Sequence, residues 1–169
     1  YYVNPRKDEV YFVTSNPEPD FQIESWSQKG DLDQLRAAYE GFHPQVRAVL
    51  EACPEVHKWA LFERDPMPQW GQGRITLLGD ACHPMLPFMA QGAAQAIEDA
   101  AVLTWCLRGA DDTPTALRSY EDLRRDRTAR VQLAARANET MFHLPEGPEQ
   151  RRRDARLAAD EVAAGGVRP

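Results

Sequence analysis

The residues whose types and order could do chemistry lie together in one stretch, GDACHPMLPFMAQGAAQAIEDA, from Gly79 to Ala100. Asp80 follows an apolar run, so it stands at the C-terminal end of a candidate strand, where ligands gather in open α/β sheets. A carboxylate there accepts hydrogen bonds from sugar or polyol hydroxyls without a metal, and it can equally cap the turn that follows. Pro84 and Pro87 fix φ and stiffen the approach to the next element. Gly92-Ala93-Ala94 then open a helix with minimal side chains, leaving unpaired N–H groups and roughly half a unit of positive charge. A negative group can come close to such a start. A packing interface of small residues against another helix has the same composition.

The neighbouring side chains suggest less. An Asp and a His three residues apart, Asp80 and His83, invite a triad reading. However, Ser15, Ser25, Ser27 and Ser119 carry no GxSxG elbow, which argues against a hydrolase. Cys82 reads as a small buried residue rather than a reactive thiol. Cys53, Cys82 and Cys106 form no CxxC pair, and the odd count points to a reduced, cytoplasmic setting without a disulfide framework. His43, His57, His83 and His143 are scattered, none at helical ligand spacing from a cysteine, so no metal site is expected.

These residues need elements to hold them. Tyr1–Val3 and Val10–Ser15 read as an antiparallel hairpin around the polar NPRKDE, and Phe21–Trp26 as a third strand by alternation. Leu32, Leu35 and Tyr39 share a helical face with Asp31 as cap, and a second helix starts at Pro44 and stops at Cys53-Pro54. Val46, Val49 and Leu50 are its inward positions. His57–Glu63 reads as a strand. GRITLLGD, with Ile75–Leu78 apolar throughout, reads as a strand covered on both faces. Gly92–Leu107 forms a helix ending near Gly109, and Thr113 caps a long helix to about Phe142 with Pro114 at its first position. A solvated helix closes the chain. Trp26, Trp59 and Trp70 are expected in the core or an interface, and Arg124-Arg125-Asp126-Arg127 on a solvated helix face.

Composition bounds the rest. The chain has 169 residues, enough for one domain of ordinary size, and carries 26 acids against 20 bases. That balance argues against a nucleic-acid partner. No apolar run reaches the ~20 residues that span a bilayer. No GxGxxG and no P-loop occur. The first residue is Tyr and YYV reads as the middle of a strand, so the chain is expected to begin inside a longer protein.

GRITLLGDACHPMLPFMAQGAAQAIEDAAVL resembles the second FAD-binding motif of the single-component FAD-dependent aromatic hydroxylases, the p-hydroxybenzoate hydroxylase-like family. VYFVTSNPEPDF, GFHPQVRAVL and KWALFERDPMPQW extend the resemblance over roughly residues 1–145, most closely to the family's hydroxynicotinate- and salicylate-hydroxylating members. The resemblance implies an α+β chain with a partial p-hydroxybenzoate hydroxylase-like fold: substrate-domain sheet, second FAD motif and C-terminal helices, without the N-terminal dinucleotide-binding βαβ unit. Residues 1–72 would cover the substrate, 73–109 would form the strand–turn–helix of the FAD-binding domain, and 110–169 the C-terminal helices.

By the same resemblance, Gly79 and Asp80 would bind FAD near its ribityl arm, and Pro87 would lie with its backbone beside the flavin ring, the one catalytic candidate. Gly92, Ala93 and Ala94 would offer N–H groups to the ring's pyrimidine end. His83 would brace the turn, and Tyr1 or Tyr2 would touch the aromatic substrate. The implied activity is hydroxylation of an aromatic or N-heteroaromatic ring with FAD, NADH or NADPH, and O2, the chain alone being inactive. The alternative is a flavin-free interaction or dimerisation domain, with a second copy joined through Gly109–Phe142.

Overall fold

A computed structural model of the chain describes residues 1–163 apart from Pro19, Glu24 and Trp26, and the expectation for Trp26 lies outside the described residues. The chain divides into two compact units, Tyr1–Leu61 and Phe62–Pro169.

In the first unit the expected strands shrink to short antiparallel contacts. Tyr2 pairs with Val10, and Lys29 with His57. The first pair is extended by Val3 N–H to Glu9 O (3.0 Å) and Tyr11 N–H to Tyr1 O (2.9 Å). Its loop turns through Lys7 at φ 59°. The described part of Phe21–Trp26 carries no strand. Helix α1 (Leu32–Ala38) is capped by Asp31, whose carboxylate accepts from the Asp33 and Gln34 N–H groups. Helix α2 (Pro44–Ala52) begins with proline, as expected, and buries Leu50, whereas Val46 is exposed. His43 caps it with Nδ1 accepting from Gln45 N–H.

The second unit opens on a tight hairpin. Strand β1 (Gly71–Gln72) pairs antiparallel with β2 (Ile75–Thr76) in the register Gly71↔Thr76 and Gln72↔Ile75. The turn needs Gly73 at φ 62°, a left-handed conformation that costs glycine little. This corrects the expectation of a strand covered on both faces: Ile75 is 75% exposed, and regular pairing stops at Thr76. An apolar run reports what can be buried; the strand ends at Thr76, so the period-2 alternation that would put Ile75 and Leu77 on one face does not extend to Leu77, which packs inward while Ile75 faces solvent.

Helix α3 (Gly92–Gly109) and helix α4 (Thr113–Phe142) pack along each other, and α5 (Pro148–Ala163) follows. The cap of α4 is Asp112, which accepts from Thr115 N–H at 2.9 Å, rather than Thr113; Thr113 is itself helical and Pro114 comes second. A carboxylate outcompetes a hydroxyl for the helix N-terminal charge. The core joins Trp70, Cys82, Cys106, Ala116 and Tyr120, with Leu77, Val102 and Leu103 against it. Trp70 lies 5.6 Å from Tyr120 and 5.4 Å from His83, ring to ring. Among the described residues, no helix is long and apolar enough to cross a membrane.

Candidate functional site

Gly79–Ala81 and Pro87–Met89 are single 3-10 turns, joined by the stretch containing Pro84 and leading to the start of α3. Gly79 sits at φ 62°, and a Cβ there would stand 3.2 Å from Ala96 Cβ. Glycine is thus required both by the turn and by the close approach to α3. Asp80, one residue on, is exposed. A Cβ built on Gly92 would lie 3.9 Å from Asp80 Oδ1 and 3.9 Å from Met85 Cγ. The fold therefore brings the carboxylate to the helix start.

That start is bare. Gln91 precedes it without a side-chain capping bond, and the first helical bond from this end is Gln95 N–H to Gln91 O at 2.9 Å. The N–H groups of Gly92, Ala93 and Ala94 are left for something outside the helix. Ala90, just before, is held at φ 51°, unusual for a residue with a Cβ. Pro87 is exposed in its own turn. Tyr1 and Tyr2 belong to the first unit, 79% and 55% exposed; Tyr1 stacks on Tyr11 at 5.3 Å. A concavity of about 330 Å³ lies at the hairpin and the start of α4, lined by Gln69, Ile75, Arg118 and Glu121 among others. None of the candidate residues lines it.

Beneath this surface lies a buried ionic cluster. Asp99 of α3, fully buried, accepts from three donors: Gly79 N–H (3.1 Å), His83 Nε2–H (2.6 Å) and Arg124 Nε–H (2.7 Å). Burial alone would raise the Asp99 pKa, but the bonds from His83, Arg124 and Gly79 outweigh it and hold the carboxyl below its ordinary range. Arg124 also donates to Glu98 Oε2 (2.6 Å) and Gln95 Oε1 (2.8 Å). Glu98, clasped by Arg127 and Arg124, is lowered to about 2. The expectation of a solvated face is therefore corrected for Arg124, which is 3% exposed, while Arg127 stays at the surface and closes on Glu98.

His83 braces the Gly79 turn through Asp99, and its Nδ1 has no partner. The adjacent Cys82 does not complete a triad with it, since burial pushes that thiol up to about 12. Cys82, His83 and Asp99 place ligand atoms within 4.8 Å of one another. The protonated thiol and the Arg124 guanidinium on Asp99 leave that trio without the negative charge a cation needs.

Residues 3–135 match the family described as FAD binding domain. The chain belongs to that family. It is 50% identical over 152 residues to a 6-hydroxynicotinate 3-monooxygenase of Bordetella bronchiseptica, covering 88% of this chain and 39% of that protein. It is 43% identical over 153 residues to the 3-amino-4-hydroxybenzoate 2-monooxygenase PtmB3 of Streptomyces platensis, covering 90% and 39%. Among solved structures, a salicylate hydroxylase substrate complex matches with TM-score 0.70 at 29% identity, over 95% of this chain and 40% of that one. Klebsiella pneumoniae HpxO complexed with FAD and uric acid matches with TM-score 0.59 at 34% identity, over 69% and 32%. The chain thus spans about two-fifths of the length of the curated relatives it matches.

The donor set suits the cofactor this FAD-binding family is named for. A bare helix start, a polar acceptor beside it and a side-chain-free position at Gly92 suit a flat, hydroxyl-bearing, anionic ligand. Periodicity does not reveal the cluster that supports this arrangement, because Gln95, Asp99 and Arg124 are polar residues at buried helical positions. One signal was available: Gln95 and Asp99 share a face at i, i+4, and so do Arg124 and Thr128.

Proposed function

We propose that the chain is the flavin-facing part of a monooxygenase that hydroxylates an aromatic or N-heteroaromatic ring, using FAD, NADH or NADPH, and O2. One observation carries the reading: the Asp80 carboxylate lies beside the uncapped, side-chain-free start of α3. The hydroxynicotinate and aminohydroxybenzoate monooxygenases among its relatives support the substrate class.

Bound FAD supplies hydride acceptance from the nicotinamide and activation of O2. The chain's residues bind and orient. Asp80 would accept hydrogen bonds from the ribityl hydroxyls, and Gly79 sets the turn that presents it. Gly92, Ala93 and Ala94 would offer N–H groups to the pyrimidine end of a bound flavin, where the fixed dipole of α3 would favour negative charge without moving a proton. The Pro87 main chain would lie beside the ring, in a turn stiffened because proline fixes φ. Tyr1 and Tyr2 are the aromatic candidates for substrate contact. Three free thiols fit a reducing, cytoplasmic setting.

The test is the full-length protein containing this chain. It should purify with FAD or take it up stoichiometrically. It should also oxidise NADH or NADPH in step with a hydroxylated product from a panel of hydroxynicotinate-, salicylate- and aminohydroxybenzoate-type rings. A protein that takes up no flavin would overturn the reading.

A further inference from the structure

The loop between Asp80 and the α3 start has little secondary structure of its own, and Pro84 and Pro87 carry no N–H. Its carbonyls must find donors elsewhere. Helix α4 supplies them. Gln132 Nε2 donates to Pro84 O at 2.9 Å, and Asn138 Nδ2 donates to Phe88 O at 3.0 Å and meets Met89 Sδ at 3.0 Å. These carbonyls stand on either side of Pro87. Gln132 is 2% exposed, and its one other bond reaches Arg64 O at 3.5 Å. Burying a side-chain amide is costly unless it is bonded. A methionine would fill the same space, so packing alone gives no reason for the amide.

We propose that Gln132 and Asn138 are positioning residues for the cofactor: by gripping the main chain on both sides of Pro87, they set how the proline turn and the α3 start meet the flavin. The proposal rests on the flavin reading above. Neither residue touches the bare N–H groups of Gly92–Ala94; each acts through the loop. If the grip is lost, the α3 start is less well fixed, and the reduced, negatively charged flavin loses more than the oxidised form.

The experiment uses the full-length protein with Gln132→Met and, separately, Asn138→Ala. The control is Thr128→Val, whose buried hydroxyl bonds only the Arg124 and Arg125 carbonyls of α4 itself. Each variant is measured for urea midpoint, FAD dissociation constant and flavin midpoint potential. For Gln132→Met and Asn138→Ala, FAD should bind about tenfold more weakly. The potential should fall by about 30 mV, which is a tenfold change in relative affinity for the reduced form. Thr128→Val should lower the urea midpoint and leave both flavin readouts in place. If Gln132→Met does not fold, Asn138, which is less buried than Gln132, still decides the matter. Unchanged affinity and potential in the folded variants overturn the positioning role while the flavin reading stands. A wild-type protein that binds no FAD overturns both.

Discussion

Replacing Arg124 by methionine tests whether the cluster beneath the turn holds the second unit together. The guanidinium donates to Asp99, Glu98 and the Gln95 side chain at 2.6 to 2.8 Å, and Asp99 is fully buried. Methionine fills most of the volume of the arginine stem but removes the counter-charge. Asp99 then keeps only His83 and the Gly79 N–H, and a buried carboxylate without its cation costs about 3–5 kcal/mol. Asp99→Asn alone leaves Arg124 buried but still paired with Glu98, at about 2 kcal/mol. The double variant removes charge from both sides, so its loss should fall short of the sum by roughly 1.5–3 kcal/mol. Urea unfolding of the full-length protein, followed by tryptophan fluorescence, reads the loss, and Trp70, whose ring packs against His83 and Tyr120, contributes to the signal. A loss below about 1 kcal/mol for Arg124→Met, or additivity within about 0.5 kcal/mol, would refute the reasoning.

Further outcomes follow from the same geometry. Asp80→Ala should weaken FAD binding by about 10- to 100-fold, the range for hydrogen bonds to a charged group, with little change in urea midpoint; undiminished flavin content would remove Asp80 from the site. Gly92→Ala places a Cβ at ordinary contact distance, 3.9 Å, from Asp80 and Met85, so the fold should tolerate it while FAD affinity drops; equal affinity would mean that the space at Gly92 is not used. Glu98, lowered to about 2, contributes stability that is fully present above the unfolded value of about 4.3 and is lost as pH falls towards 2. Solvent at this half-buried group limits the contribution to about 1 kcal/mol, and Asp99 acts with the same sign. Urea midpoints at pH 7 and pH 3 should therefore converge in Glu98→Gln relative to wild type, and an unchanged difference counts against the clasp. Cys82, pushed up to about 12 in the core, should resist alkylation in the native protein while Cys53 reacts, as mass spectrometry can follow. Labelling of Cys82 as fast as Cys53 would show that the core is open.

Much of the site could be read along the chain because local rules govern it. The α3 start at Gly92 and the α4 span followed from glycine, proline and capping positions, which act within one turn of helix. The nearness of Asp80 to that start follows from a short connection stiffened by prolines. Strands fared worse. Val10–Ser15 and His57–Glu63 have the right composition, but a strand exists only with a partner in register, and each finds a single bridge. The 71–76 hairpin leaves no periodic signal in the sequence because each of its strands is two residues long.

By itself, the sequence determined the order acid, proline turn, bare helix, because φ preferences, missing N–H groups and absent side chains are properties of each residue. Tertiary structure alone decided that Arg124, two residues from the exposed Asp126 and three from the half-exposed Arg127, is buried and ties α4 to Asp99 and, through it, to Gly79. It likewise decided that Gln132 and Asn138 reach the carbonyls around Pro87. A charged residue looks the same in sequence whether water or a carboxylate solvates it. Only the meeting of two helices determines which.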